Sequence, residues 1–192
     1  TIEPGPTREH GFSNRASAAD TLFLVGWGWM PLYRAVGDRR FLEAAERVVL
    51  AVGRLLGQGK GGVIPQAYDL KKNRWDENMF FESSMGMKGL AEFCREAGDG
   101  RSRQIMLRYV SKLLKAFERE DGLWEAMLYG KTGRVSSCNF FTKSFGYCVD
   151  GLLAVHEVVS DQGHLERATK IAGHVLRAQQ KDGSWSVRLD RP

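Results

Sequence analysis

Cysteine is scarce in this sequence: Cys94, Cys138 and Cys148 form no Cys-x-x-Cys pair and leave an odd count. That excludes a disulfide framework and a cysteine-based zinc site, so buried or free thiols are expected. His10, His156, His164 and His174 show no ligand spacing with a second donor, and neither a metal nor another cofactor is expected. No apolar run reaches the length of a membrane span and no signal peptide is visible, so no membrane partner and a cytoplasmic location are expected. A first residue of Thr1 rather than Met keeps a removed leader open. A polybasic run is missing too. Net charge +5 and a pI near 9.2 come from Lys and Arg spread among Asp and Glu, which argues against nucleic acid and leaves a mild preference for anionic ligands. Ser83 and Ser84 lie in no Gly-x-Ser-x-Gly turn, so nucleophilic serine chemistry has no support.

What is present repeats. Phe80-Phe81-Glu82-Ser83-Ser84-Met85-Gly86 and Phe140-Phe141-Thr142-Lys143-Ser144-Phe145-Gly146 share Phe-Phe-x-x-Ser-x-Gly at a step of 60, and the same step relates Gly26 to Gly86 and Gly146. Asp121-Gly122-Leu123-Trp124 is echoed by Asp182-Gly183-Ser184-Trp185 at a step of 61. Three tandem units follow, approximately 18–78, 79–139 and 140–192, within one domain covering 1–192. A unit of this kind cannot bury its apolar face alone and must stack on its neighbours.

Each unit pairs two helices of different character. Ala18 to about Val36 is apolar on nearly every face, which predicts a helix buried all round, with Pro31 removing one backbone bond and bending it. After the Gly37-Asp38 turn, Phe41, Ala45, Val48, Val49, Val52, Leu55 and Leu56 fall on one stripe of an amphipathic partner. The pair recurs as Met79 to Ala97 with the Ile105–Phe117 stripe, and as Phe140 to Val159 with the Leu165–Leu176 stripe. The long connections, 58–78 and 120–139, carry enough Gly and alternation for small β-hairpins. The fold class is therefore all-α, tandem helical hairpins with inner and outer helices, and every long loop where the inner helices begin. Gly26, Gly28, Gly86, Gly89, Gly146 and Gly151 lie within the inner helices at a cost of roughly 1 kcal/mol each relative to Ala, and close packing is the expected reason.

Such hairpins resemble the (α/α) toroids. Asp20-Thr21-Leu22-Phe23 heading an inner helix, followed by Gly37-Asp38-x-x-Phe41-Leu42-Glu43-Ala44-Ala45, resembles the unsaturated glucuronyl/galacturonyl hydrolases, glycoside hydrolase families 88 and 105. Tyr68-Asp69 with Trp75 resembles the connecting loop there. The resemblance implies a six-hairpin ring of which three hairpins are present, about half, with the remainder of the ring or a second chain covering the open edges. It also implies that Asp20 is the catalytic acid/base, protonating C4 of the C4–C5 double bond of an unsaturated uronic acid and directing water to C5. This is hydration of a vinyl ether rather than the two-carboxylate displacement of ordinary glycosidases. The family's Trp-x-Arg-Gly-x-x-Trp is replaced here by Phe81-Glu82-Ser83-Ser84-Met85-Gly86-Met87. Lys170, Val175, Gln179, Gly183 and Trp185 also fit the QW motif of terpene cyclases, but the acidic motifs of those enzymes are absent.

Asp20, Glu82 and Thr142-Lys143 occupy the first turns of the three inner helices. Asp20 reads either as a helix cap or as the acid, the second needing an apolar wall such as Trp27, Phe80 and Phe81 to raise a carboxyl pKa. Glu82, if it faces Asp20, would hold the water or pair with Asp20 to raise its pKa; Lys143, with Arg8 or Arg74, would meet the carboxylate of an anionic oligosaccharide, its other reading being a solvated side chain. Tyr68, Trp75, Trp124 and Tyr129 are the aromatic candidates for stacking on sugar rings, beside Asp69, Asp76, Glu77 and Glu125. For Trp124 and Trp185 the other reading is that they pin loops onto helix ends. The alternatives for the whole are a non-catalytic helical-repeat binding module, or another toroid enzyme such as a polysaccharide lyase or sugar epimerase.

Overall fold

The computed structural model describes residues 15–58, 64, 67–69, 72–75, 78–125, 127–129, 132, 134–136, 140–186 and 188–189. The first inner rod follows strand β1 (Arg15–Ser17) and consists of α1 (Ala18–Leu24), a π-helical turn (Val25–Trp29) and α2 (Met30–Val36). Ser17 caps it, its hydroxyl accepting from the Asp20 N–H at 3.1 Å. Of the two readings of Asp20, cap or acid, the cap falls instead to Ser17, and Asp20 is the third residue of the helix. Pro31 has no N–H to offer, and the helix accommodates this by widening just before it, the Met30 N–H bonding back to the Val25 carbonyl. Gly37, at φ 69, turns the chain into the outer helix α3 (Arg39–Gln58).

The second unit repeats the plan with a 3-10 turn (Phe81–Ser84) and α4 (Met85–Ala97) inside and α5 (Gly100–Phe117) outside. In the third, α6 (Thr142–Val159) lies inside and α7 (Gln162–Arg177) outside. Each outer helix starts at an aspartate whose carboxylate accepts a backbone N–H: Asp38 from Arg40, Asp99 from Ser102 and Asp161 from Gly163.

Short strands tie these hairpins together. The hairpin β2 (Ala67–Asp69) and β3 (Arg74–Trp75) pairs back onto β1. Strand β4 (Asn78–Phe80) pairs with the hairpin β5 (Met127–Tyr129) and β6 (Arg134–Ser136), and β7 (Phe140–Phe141) with β8 (Arg188–Leu189). All pairs are antiparallel. The strand entering each inner rod is thus joined to the segment leaving the outer helix of the same unit. The expected β-hairpins form, and all the sheets gather at the end where the inner rods begin.

The core runs between inner and outer layers, through Leu22, Val25, Met87, Leu90, Phe145 and Leu152 inside and Val49, Val52, Met106, Leu113 and Ile171 outside. Among the described residues, only α4 is a helix buried on almost every side. Leu24, Leu32 and Val36 on the first rod and Leu153 on α6 are exposed, because each terminal rod has a neighbour on one flank only. Close packing accounts for some of the inner glycines: an added Cβ on Gly26 would stand 2.9 Å from the Gly89 nitrogen, and one on Gly151 2.9 Å from the Ser84 carbonyl oxygen. Gly146 meets nothing, and Gly28 only its own Leu24 side chain.

Candidate functional site

Asp20, Phe23 and Trp27 lie three and four residues apart, so they share one stripe of the first rod, and Lys143, Tyr147 and Asp150 share one of α6. These stripes converge. The Phe23 and Trp27 rings stack with centroids 4.5 Å apart, and Tyr147 meets both edge-on at 5.9 and 6.1 Å. Lys88 of the middle rod places its ammonium 4.7 Å from the centroid of the Trp27 ring and 2.9 Å from Asp150 Oδ2. Three inner rods therefore meet around one aromatic and charged patch, the concave face of the molecule.

One turn above this patch, at the strand-rich end, stand the exposed residues Asp20 and Lys143. Asp20 lies in the first turn of its rod, where the helix dipole stabilises a carboxylate by roughly 0.3–1 kcal/mol. Glu82 falls in the 3-10 turn of the middle rod, but its side chain, like those of Phe80 and Phe81, lies outside the described residues. Arg8, His10, Asp76, Glu77 and Cys138 lie outside them entirely.

Below the patch a second rung crosses the rods. Arg34 donates to Glu92 at 2.8 Å and to Glu96 at 2.9 Å, and Arg95 reaches Glu157 at 2.7 Å. Trp27, Lys88 and Asp150 are separated by steps of 61 and 62, and so are Arg34, Arg95 and Glu157. That register is the sequence signal that points to Lys88 and Asp150.

The aromatic candidates do not gather at Asp20. Tyr68 and Trp75 pair across β2 and β3 with ring centroids 5.0 Å apart, and Tyr68 donates to Asn73. Trp75 lines a groove of about 330 Å³ with Ser17, Thr21, Val48, Val52 and Leu55, on the other flank of α1 from Phe23 and Trp27. Trp124 is fully buried and stacked on Phe117, so its ring has no face for a sugar; it holds its loop to the helix end. Tyr129 is half-buried on β5, opposite Asn78 and Arg134.

The described histidines are elsewhere. His156 contacts the Asp161 carbonyl oxygen at the hairpin turn, and burial holds His164 and His174 of α7 below the usual imidazole range. Cys94 and Cys148 are free and buried, and burial pushes both thiols up. Among the described residues no cluster of His, Cys, Asp or Glu is grouped to share a metal ion, and no helix is long and apolar enough to cross a membrane.

No protein-family model matches the chain, and no curated protein matches it by sequence. Solved structures do. The unsaturated glucuronyl hydrolase of Bacillus sp. GL1 matches 91% of this chain with 49% of its own, at a TM-score of 0.72 and 16% identity. A D-mannose isomerase matches 91% of this chain with 46% of its own, at a TM-score of 0.76 and 12% identity. A cellobiose 2-epimerase from Bacillus thermoamylovorans B4167 matches 88% of this chain with 44% of its own, at a TM-score of 0.72 and 11% identity. The chain spans about half the length of these six-hairpin structures, and its fold is about half of an (α/α) toroid. Identity this low speaks to the scaffold and not to the reaction.

Proposed function

We propose that this chain supplies half the ring of a carbohydrate-active enzyme that hydrates the C4–C5 double bond of unsaturated uronic-acid oligosaccharides. One observation carries the reading: an exposed carboxylate, Asp20, stands at the mouth of the concave face, one helical turn above the Phe23, Trp27 and Tyr147 rings. Asp20 protonates C4 and directs water to C5. The hemiketal so formed opens to a ketone, and the hemiacetal left at C1 releases the sugar. Lys143, on the facing stripe, meets the uronate carboxylate, and Glu82 holds the water from the middle rod. The aromatic rings take the apolar face of the sugar, and Tyr129 meets more distant units at the rim. The fold shared with unsaturated glucuronyl hydrolases supports this assignment.

The isomerase and epimerase matches favour a second reading, proton abstraction from a sugar carbon. That chemistry calls for a base poised near neutrality, most often histidine. The described histidines lie at the outer layer and a hairpin turn, whereas Asp20 is an exposed carboxylate in the first turn of an inner rod, and this supports hydration as the first reading.

The test is incubation with an unsaturated uronide and with its saturated counterpart. Loss of the double-bond ultraviolet absorbance with the first alone is expected, and Asp20→Asn should lower kcat by at least about 100-fold. An unchanged rate in that variant ends the assignment; turnover of the saturated sugar transfers it to the isomerase reading.

A further inference from the structure

The sequence reads the basic excess as spread among acidic residues, and on α5 it is not. Between Gly100 and Phe117 that helix carries Arg101, Arg103, Arg108, Lys112 and Lys115 and no aspartate or glutamate. Net charge over the whole chain is +5, so the remainder without these residues is neutral. The other two outer helices are mixed: Glu43 and Glu46 lie among the arginines of α3, and Glu166 stands beside Arg167 on α7.

Their spacing puts Arg101, Arg108, Lys112 and Lys115 on one stripe of the solvent side, about 21 Å long at the helical rise per residue. Lys112 is half-buried and the other three are exposed. Among the described residues no carboxylate bonds to any of the four. Burial, with Arg108 and Lys115 beside it, holds the Lys112 ammonium below its usual range. Like charges three and four residues apart also weaken a helix, so the row is electrostatically incomplete by itself. An anion lying along it completes it.

The place of α5 in the fold keeps this face outward. Gly53 of α3 packs on Ile105 along one flank, and the turn leaving α5 lies on α7 at the other, where Arg167 donates to Glu118 at 2.6 Å. Hairpins joined beyond α3 or α7 would leave the stripe uncovered.

The chemistry of the face narrows the occupant. Bases of a single strand find no platform, because Tyr109 and Phe117, the aromatic residues of α5, are buried. A lipid surface finds no apolar face, because Ile105, Met106, Val110 and Leu113 belong to the core. Gln104 and Ser111, exposed on the same side, set neutral hydrogen-bonding groups among the charges, which suits a chain whose hydroxyls alternate with carboxylates.

We propose that this stripe of α5 binds a linear uronic-acid polysaccharide, whose carboxylates lie along Arg101, Arg108, Lys112 and Lys115. The choice of polymer rests on the uronate reading of the concave face given above; the stripe itself does not. Lying on the outer layer, it holds the polymer while chain ends are turned over on the inner one, and so raises their local concentration.

Titration of the full-length protein into fluorescein-labelled polygalacturonate, followed by anisotropy, should show binding that weakens as salt is raised. Arg108→Gln/Lys112→Gln/Lys115→Gln should raise the dissociation constant by at least about 10-fold. The helix should stay folded by circular dichroism, because the change relieves like-charge contacts. Arg39→Gln/Arg47→Gln/Arg54→Gln removes the same charge from α3 and should leave the constant within about 2-fold of wild type. Neither measurement needs turnover, so failure of the hydration reading and failure of this proposal are seen separately. Equal affinity of the α5 variant and the wild type overturns the proposal, as does an equal loss in the α3 variant. Tighter binding to a DNA duplex or to phosphatidylserine vesicles at the same salt overturns the choice of polymer.

Discussion

Glu92 is a buried carboxylate lying 2.8 Å from Arg34 and 3.6 Å from Arg95, so one acidic group serves guanidinium groups from its own rod and from the first. Both arginines keep part of their surface in water, Arg34 being 39% exposed, and can rehydrate when the partner goes. Glu92→Ala should therefore cost about 1–2 kcal/mol, less than breaking a fully buried pair. Glu157→Ala removes a group 62% exposed and should stay within about 0.5 kcal/mol of wild type in urea unfolding. Single residues were the least legible part of the sequence. Asp20 stood out because a short motif surrounds it, whereas Lys88 and Asp150 are ordinary charges on apolar helices until the rods are set side by side. Trp124 and Trp185 share a motif but not a fate: the first is fully buried and the second is 40% exposed.

Gly89 and Gly146 are both helical glycines, and propensity alone favours alanine at either position by about 1 kcal/mol. Their surroundings separate them. Gly89→Ala drives a methyl into the Leu22 carbonyl and should destabilise by about 2–3 kcal/mol, while Gly146→Ala enters open space and should stabilise by about 0.5–1 kcal/mol. Thermal and urea unfolding of the two variants checks the opposite signs. The hairpins themselves were legible because each outer helix carries a single apolar stripe and each turn between the two helices is short. The π turn was not, because Pro31 announces a missing donor without saying how the helix absorbs it. Nor were β1 and its pairing: Arg15-Ala16-Ser17 shows no alternation, and its partner lies some fifty residues on.

Global stability should respond to pH through α7. Burial holds His164 below the ordinary imidazole value of 6.5 against the pull of Asp161, and burial together with Arg177 does the same for His174. The unfolded chain then binds protons more readily than the folded one below 6.5, so stability is full above that pH and falls as the medium is acidified toward the folded-state values. Urea midpoints measured on both sides of 6.5, at pH values where carboxylates stay ionised, should show the decline. His164→Gln/His174→Gln should flatten it. The half-ring was foreshadowed by counting units, whereas the close approach of neighbouring rods, Gly89 against the Leu22 carbonyl and Gly151 against that of Ser84, depends on carbonyl positions that no residue type encodes.

Because β1 lies against β2 and β4 against β5, the point where each unit starts is fastened to the point where it stops. A segment whose two ends are neighbours can be inserted or deleted whole without rerouting the rest of the polypeptide. Lengthening such a protein by duplication would then be a matter of adding links to a bracelet, each bringing its own clasp.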